Sequence, residues 1–226
     1  MQKEKLVLIG NGMAGVRTVE ELLKLAPDMY DITVFGAEPH PNYNRIMLSP
    51  VLAGEKTLSD IVLNDLDWYS HNGIHLKSGD AVTKIDRVAR KVVTETGDEV
   101  AYDRLLIATG SNPFIIPVPG HNKPGVIGFR DIADVNTMLE AAKAYKKAVV
   151  IGGGLLGLEA ANGLLKNGMD VTVVHLLDTL MERQLDKPAA DLLKSSLETR
   201  GMKFLMEAQT AEITGDGRVQ GVKFAD

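Results

Sequence analysis

Apolar residues fall into short runs that alternate with stretches of helical spacing. Residues 5–9 form an apolar run of strand length, and Val16, Val19, Leu22 and Leu23 then recur at the helical period, predicting a helix over 13–25. Pro27 stops that helix, and "DITVF" (31–35) is a β-branched strand, completing a βαβ unit. Residues 38–63 are irregular and rich in Pro and Asn, a loop long enough to suggest a function. A short helix is predicted over 65–71, with Trp68 and Tyr69 as packing residues. Strands over 74–77, 81–85, 91–94 and 99–101 suggest a small antiparallel meander, and "RLLI" (104–107) suggests a buried strand. "SNPFIIPVPGHNKPG" (111–125) carries prolines at 113, 117, 119 and 124 and is the clearest linker. The pattern then restarts. Helices are predicted over 134–144, 155–166 and 187–200, and strands over 147–151, 170–175 and 202–206, with short strands near Glu212 and Val219. Met202 and Met206 read as core.

The second half is therefore an approximate repeat of the first. Both carry strand–glycines–helix: "LIGNGMAGVRT" (8–18) and "VIGGGLLGLEA" (150–160). Gly10 lets the chain turn out of the strand, Gly12 lets a pyrophosphate approach the backbone, and Gly15 lets helix and strand pack closely. Gly152, Gly154 and Gly157 repeat the spacing. The helix N-terminus then offers N–H groups to phosphates. Both copies sit between a strand and a helix, the context this pattern requires. An acid on the ribose should follow the second strand. Glu38 suits the first unit. The second unit has His175, which would not repel a 2′-phosphate and could donate to it, with Arg183 helping. This leans to NADPH or to both coenzymes, unless His175 only packs beside adenine.

Composition narrows the chemistry. The formal net charge of −5 and scattered basic residues argue against a nucleic-acid surface, and the basic run at 87–91 reads as a solvated turn. No apolar run reaches the roughly 18 residues of a membrane span, and no signal-peptide pattern opens the chain, so a cytoplasmic protein is expected. There is no cysteine, which excludes disulfide chemistry, thiolate metal sites and cysteine nucleophiles within these residues. His40, His71, His75 and His121 lack metal spacing, and no metal site is expected.

"IGNGMAG", "YNRIMLS", "YDRLLIATGSNP", "PVPG", "IGGGLLGLEAA" and "LMERQLD", in this order, resemble the flavoproteins that bind FAD in one Rossmann-like domain and NAD(P)H in an inserted second one. The spacing is most similar to the N-terminal part of the large subunits of NAD(P)H-dependent nitrite reductases. The resemblance implies an α/β fold with two Rossmann-like three-layer units and a small meander: an FAD-binding domain over 1–113, a linker over 114–125 and an NAD(P)H-binding domain over 126–226. It implies that Gly10, Asn11, Gly12, Ala14 and Gly15 hold the FAD pyrophosphate, Glu38 the adenosine ribose, and Asn44 and Arg45 the phosphates. The backbone of Ala81 or Val82 would meet adenine, and Ala108, Thr109 and Gly110 would cross near the flavin. Gly152, Gly153, Gly154, Leu155, Leu156 and Gly157 would cradle NAD(P)H, with Glu159 reaching towards the nicotinamide. No side chain need act as acid or base.

Related ferredoxin and rubredoxin reductases often carry a lysine after the "LS" motif, whereas here Ser49 precedes Pro50 and Val51. Without cysteine, electrons arriving on the flavin must leave to an iron–sulfur or haem centre, a carrier protein or oxygen. The chain is expected to be a C-terminally incomplete fragment. A completing segment for the FAD domain and, in a nitrite reductase of nitrate assimilation, iron–sulfur and sirohaem modules would lie downstream. The implied partners are NAD(P)H and downstream redox domains or a small redox carrier, with a homodimer left open. The rival readings are a stand-alone rubredoxin or ferredoxin reductase and a nucleotide-binding fragment without catalysis.

Overall fold

The computed structural model describes residues 3–225. In chain order the elements are β1 (Glu4–Ile9), α1 (Met13–Leu25), β2 (Tyr30–Gly36), β3 (Asn42–Tyr43), α2 (Leu48–Leu52), β4 (Val62–Asn64), α3 (Leu66–His71), β5 (His75–Ser78), β6 (Val82–Asp86), β7 (Lys91–Thr94), β8 (Glu99–Ala101) and β9 (Arg104–Ile107). There follow α4 (Ile132–Ala144), β10 (Lys147–Ile151), α5 (Leu155–Lys166), β11 (Asp170–Val174), α6 (Lys187–Thr199), β12 (Lys203–Leu205), β13 (Thr210–Thr214) and β14 (Gly221–Phe224). By packing the chain divides into two compact units. One holds the residues up to Arg45 with Leu58–Ser111, and the other holds Ile46–Thr57 with the residues from Asn112 on. The sequence pattern alone keeps 46–57 with the first half.

The first unit is built on a four-stranded parallel sheet in the order β5-β2-β1-β9. Alternation along β1 explains its two cores. Leu6 and Leu8 face Val19 of α1 and Tyr69 of α3, together with Ile32, Val34 and Ile74. Val7 and Ile9 face the other way, onto Phe35 and Val92 of the meander β6-β7-β8. A strand covered on both faces reads as a continuous apolar run, and each such side chain contributes roughly 1.5–3 kcal/mol when buried. Two expectations change here. The strand near residue 75 pairs with β2 in the parallel sheet instead of joining the meander. β9 lies at the sheet edge and is not buried; Ile107 is 58 % exposed. The irregular stretch 38–63 also holds a short β3–β4 pairing and α2.

The second unit repeats the parallel theme with β10-β11-β12. α5 packs on β10 and β11, and α2 packs on α4 and α5. The expected linker is ordered by a hairpin. Ile213 N–H donates to Pro119, Val219 N–H donates to Pro124, and a side chain on Gly120 (φ +82°) would strike the Ile213 carbonyl. Val219 itself lies outside β14, which starts at Gly221. No helix among the described residues is long and apolar enough to cross a membrane.

α2 seats fully buried Leu52 against Gly163 of α5, where an added Cβ would lie 2.5 Å from Leu52 Cγ. Gly163→Ala is therefore expected to destabilise the second unit by about 1–3 kcal/mol despite alanine's better helix propensity. Urea unfolding checks this; an unchanged midpoint would show that the contact is slack.

Candidate nucleotide-binding turns

The first turn sits where β1 meets α1, beside β9, at the point where the strand order reverses. Open parallel sheets bind ligands at such switch points. Gly10 has φ +113°, and a Cβ there would lie 2.2 Å from the Ala108 carbonyl oxygen. A Cβ on Gly15 would meet the Gly10 carbonyl at 2.7 Å and the Ala108 Cβ at 3.1 Å. Both positions are thus sterically closed to a side chain, and Ala108 and Thr109 are brought onto the turn. Gly12 differs, because nothing lies within 4 Å of the place its Cβ would occupy. It is the N-cap of α1, which has no side-chain cap and no acid in its first turn. Ala14 follows inside that turn. The first N–H groups of α1 are therefore left without a side-chain cap.

Asn11 is tied into the turn by three hydrogen bonds. Its side-chain amide donates to the His40 carbonyl (3.1 Å) and its Oδ1 accepts from the Tyr69 hydroxyl (2.7 Å). Its main-chain oxygen accepts from Asn42 Nδ2 at 3.0 Å. The side chain is committed to bracing the turn. Tyr69, only 2 % exposed, reads from the sequence as packing alone; in the fold its hydroxyl anchors this brace. Burial pushes its phenol up to about 12, opposed by hydrogen bonding to Asn42 and Asn11.

Glu38 lies after β2, as the spacing predicts. It accepts from the Tyr43 hydroxyl at 2.7 Å and pairs with Arg45 Nη2 at 2.5 Å. Arg45 also lies over the Tyr43 ring. Asn44 N–H donates to Ile61. Gly79 and Asp80 N–H groups donate to the Gly36 carbonyl, which carries the start of β6, with Ala81 and Val82, to the same sheet end as Glu38. Gly110, at φ +74°, turns the chain after β9. Sequence reasoning misses Tyr43, although it stands beside Asn44 and Arg45.

The second turn repeats the arrangement. Gly152 has φ +119°, Gly157 would drive a Cβ to 2.1 Å from the Gly152 carbonyl, and Gly154 caps α5 with open space and no side-chain cap. Leu155 and Leu156 are half-exposed at its start. By contrast α3, α4 and α6 are capped by Asp65, Asp131 and Asp186. Among the described helices of ten residues or more, α1 and α5 are the two with neither a side-chain cap nor an acid in the first turn.

Glu159 is half-buried and accepts from Ser49 Oγ at 2.5 Å. The loop that lacks a lysine still supplies Glu159 with a partner, a hydroxyl, which no local pattern announces. His175 departs most from expectation. The residue is 8 % exposed. Nδ1 accepts from Gly153 N–H (3.0 Å), so the proton sits on Nε2, which faces the Thr179 carbonyl (3.0 Å). Both nitrogens are occupied, so the donor role expected of His175 towards a 2′-phosphate has no nitrogen behind it. A Cβ on Gly153 would strike this ring and Leu180. Arg183 is exposed and tied to neither His175 nor the glycine turn. Among the described residues no cluster of three or more His, Cys, Asp or Glu is gathered as a metal site.

Two βαβ units, each with an uncapped helix behind a glycine turn, define a protein with two dinucleotide-binding folds. The family model for pyridine nucleotide-disulphide oxidoreductases matches residues 4–226, and the chain belongs to that family. It is 59 % identical over its whole length to the NAD(P)H nitrite reductase of Bacillus subtilis (strain 168), of which it spans 28 %. It is 50 % identical over its whole length to the assimilatory nitrate reductase electron transfer subunit of the same organism, of which it spans 29 %. The crystal structure of the ferredoxin reductase for the CYP199A2 system from Rhodopseudomonas palustris superposes with a TM-score of 0.89 at 26 % identity, covering 99 % of this chain and 55 % of that one. The chain therefore spans under a third of these two sequence relatives. The disulphide of the family description has no counterpart in its 226 residues, which contain no cysteine.

A phenol whose folded-state pKa is raised supports the fold below its unfolded value and loses that support as pH rises through the folded one. Stability is thus expected to fall between about pH 10 and 12. Tyr69→Phe should reduce that fall while costing about 1 kcal/mol at neutral pH through loss of the Asn11 bond. Denaturant midpoints across that range check this, and an identical alkaline slope in the variant would contradict it.

Proposed function

We propose that this chain is the FAD- and NAD(P)H-binding part of an NAD(P)H-dependent nitrite reductase that delivers electrons to redox centres carried elsewhere in the whole protein. The observation that carries the reading is the pair of helix N-termini left without side-chain caps behind open glycine turns. Identity to the Bacillus nitrite reductase across the entire chain supports the assignment to that enzyme class.

The residues fit the groups. The α1 N-terminus would take the FAD pyrophosphate with Gly10, Gly12, Ala14 and Gly15, and the Arg45 guanidinium would serve a phosphate. Glu38, its carboxylate held by Tyr43 and Arg45, would accept from the ribose hydroxyls. Ala108–Gly110 would line the flavin's passage. The α5 N-terminus would take the NAD(P)H pyrophosphate through Gly152–Gly157. Bound together, the two cofactors would supply hydride transfer from nicotinamide to flavin. Glu159, fixed by Ser49, would order the nicotinamide end. No step requires a proton from the protein, whose part is to bind and orient each cofactor. Iron–sulfur and sirohaem groups would belong to other parts of such a protein. A second reading, an electron-transfer subunit serving a separate acceptor, is favoured by the 50 % identity to the Bacillus nitrate reductase subunit.

An aspartate at either open N-cap separates stability from binding. Gly12→Asp and Gly154→Asp have room for a side chain and should stabilise α1 or α5 by up to about 1 kcal/mol. Each should also repel a diphosphate. Gly12→Asp in the full-length protein is expected to lose flavin colour. Gly154→Asp is expected to keep the colour but to resist anaerobic bleaching by NAD(P)H. A protein with Gly12→Asp that purifies fully yellow would contradict the assignment.

A further inference from the structure

In βαβ nucleotide sites an acid at the end of the second strand receives the adenosine ribose. The second unit has His175 there, buried, with Nδ1 taken by Gly153 N–H and Nε2 facing Thr179. The loop after β11 folds back on the same glycine: buried Leu180 packs against Gly153, and Met181 N–H donates to the Gly153 carbonyl at 3.0 Å. Met181 takes a left-handed φ of +51° to make this bond. The next residue is Glu182, whose Oε2 stands 3.5 Å from His175 Nε2 with the side chain about one-third exposed.

We propose that Glu182 supplies, from later in the loop, the acid that β11 lacks, and so selects NADH, with its free ribose 2′-hydroxyl, over NADPH. The proposal rests on reading the second unit as the nicotinamide dinucleotide site. Surrounding charge points the same way. Glu207 N–H donates to Leu177, setting a further acidic residue beside this loop. Lys187 is paired with Asp178 at 3.1 Å and lies 3.9 Å from Asp191. Arg183, the residue after Glu182, is an exposed cation. A carboxylate can accept from ribose hydroxyls, whereas it repels a phosphate dianion, and specificity here comes as much from that repulsion as from the attraction. His175 is then a positioning residue, which locks Gly153 and the loop so that Glu182 is held at the turn.

The test is calorimetric titration of the full-length, FAD-loaded protein with NAD+ and NADP+, which bind without transferring hydride. The unmutated protein is expected to bind NAD+ about tenfold or more tightly than NADP+. Glu182→Gln should narrow the ratio and Glu182→Arg should move it towards NADP+, with thermal unfolding showing that both variants fold. Equal or tighter binding of NADP+ by the unmutated protein, or a ratio unmoved by either variant, would overturn the proposal while leaving the nicotinamide site standing. Binding of neither nucleotide would overturn the reading of the second unit, and this proposal with it.

Discussion

Backbone N–H groups that the protein does not satisfy itself govern the arrangement of both units. A helix starts with N–H groups that lack intrahelical partners, and ordinary helices close them with a side chain. This chain does so at α3, α4 and α6 with aspartates. At α1 and α5 it places glycine at the cap and open space before it. The strand before each helix and the glycine packed behind it fix where those dipoles point. An anion is the natural partner for such an end, and two such ends match two dinucleotides.

Around each opening the other residues act as braces. Asn11 is held by Tyr69, His40 and Asn42, and Gly153 is held by His175 and Met181. The braces differ chemically while the glycine geometry repeats. The repeated part is what a diphosphate requires, and the divergent part is where the two sites can discriminate between different cofactors. The brace and the loop behind it are where the proposed choice of coenzyme is sought.

Much of this is legible in the sequence. The glycine spacing, the strand–turn–helix context and the place of Glu38 follow from local patterns that any such unit must satisfy. What escapes depends on tertiary pairing. Periodicity does not reveal that the strand near residue 75 joins the parallel sheet, because its neighbour β2 is far away in the chain. Strand length and apolarity also do not tell an edge strand such as β9 from a central one. Ser49 and Glu159 are 110 residues apart, so their hydrogen bond has no sequence signal. His175 misleads because the rule reads a residue type at a strand end, whereas both ring nitrogens are consumed by local backbone.

Amide hydrogen exchange, followed residue by residue on the full-length protein, reads these N–H groups themselves. Added FAD should slow exchange at the amides of residues 12–15, and added NAD+ should slow it at 154–157, each without protecting the other turn. Protection by either nucleotide that left its turn exchanging unchanged and appeared elsewhere on the chain would contradict the assignment of the two turns as diphosphate cradles.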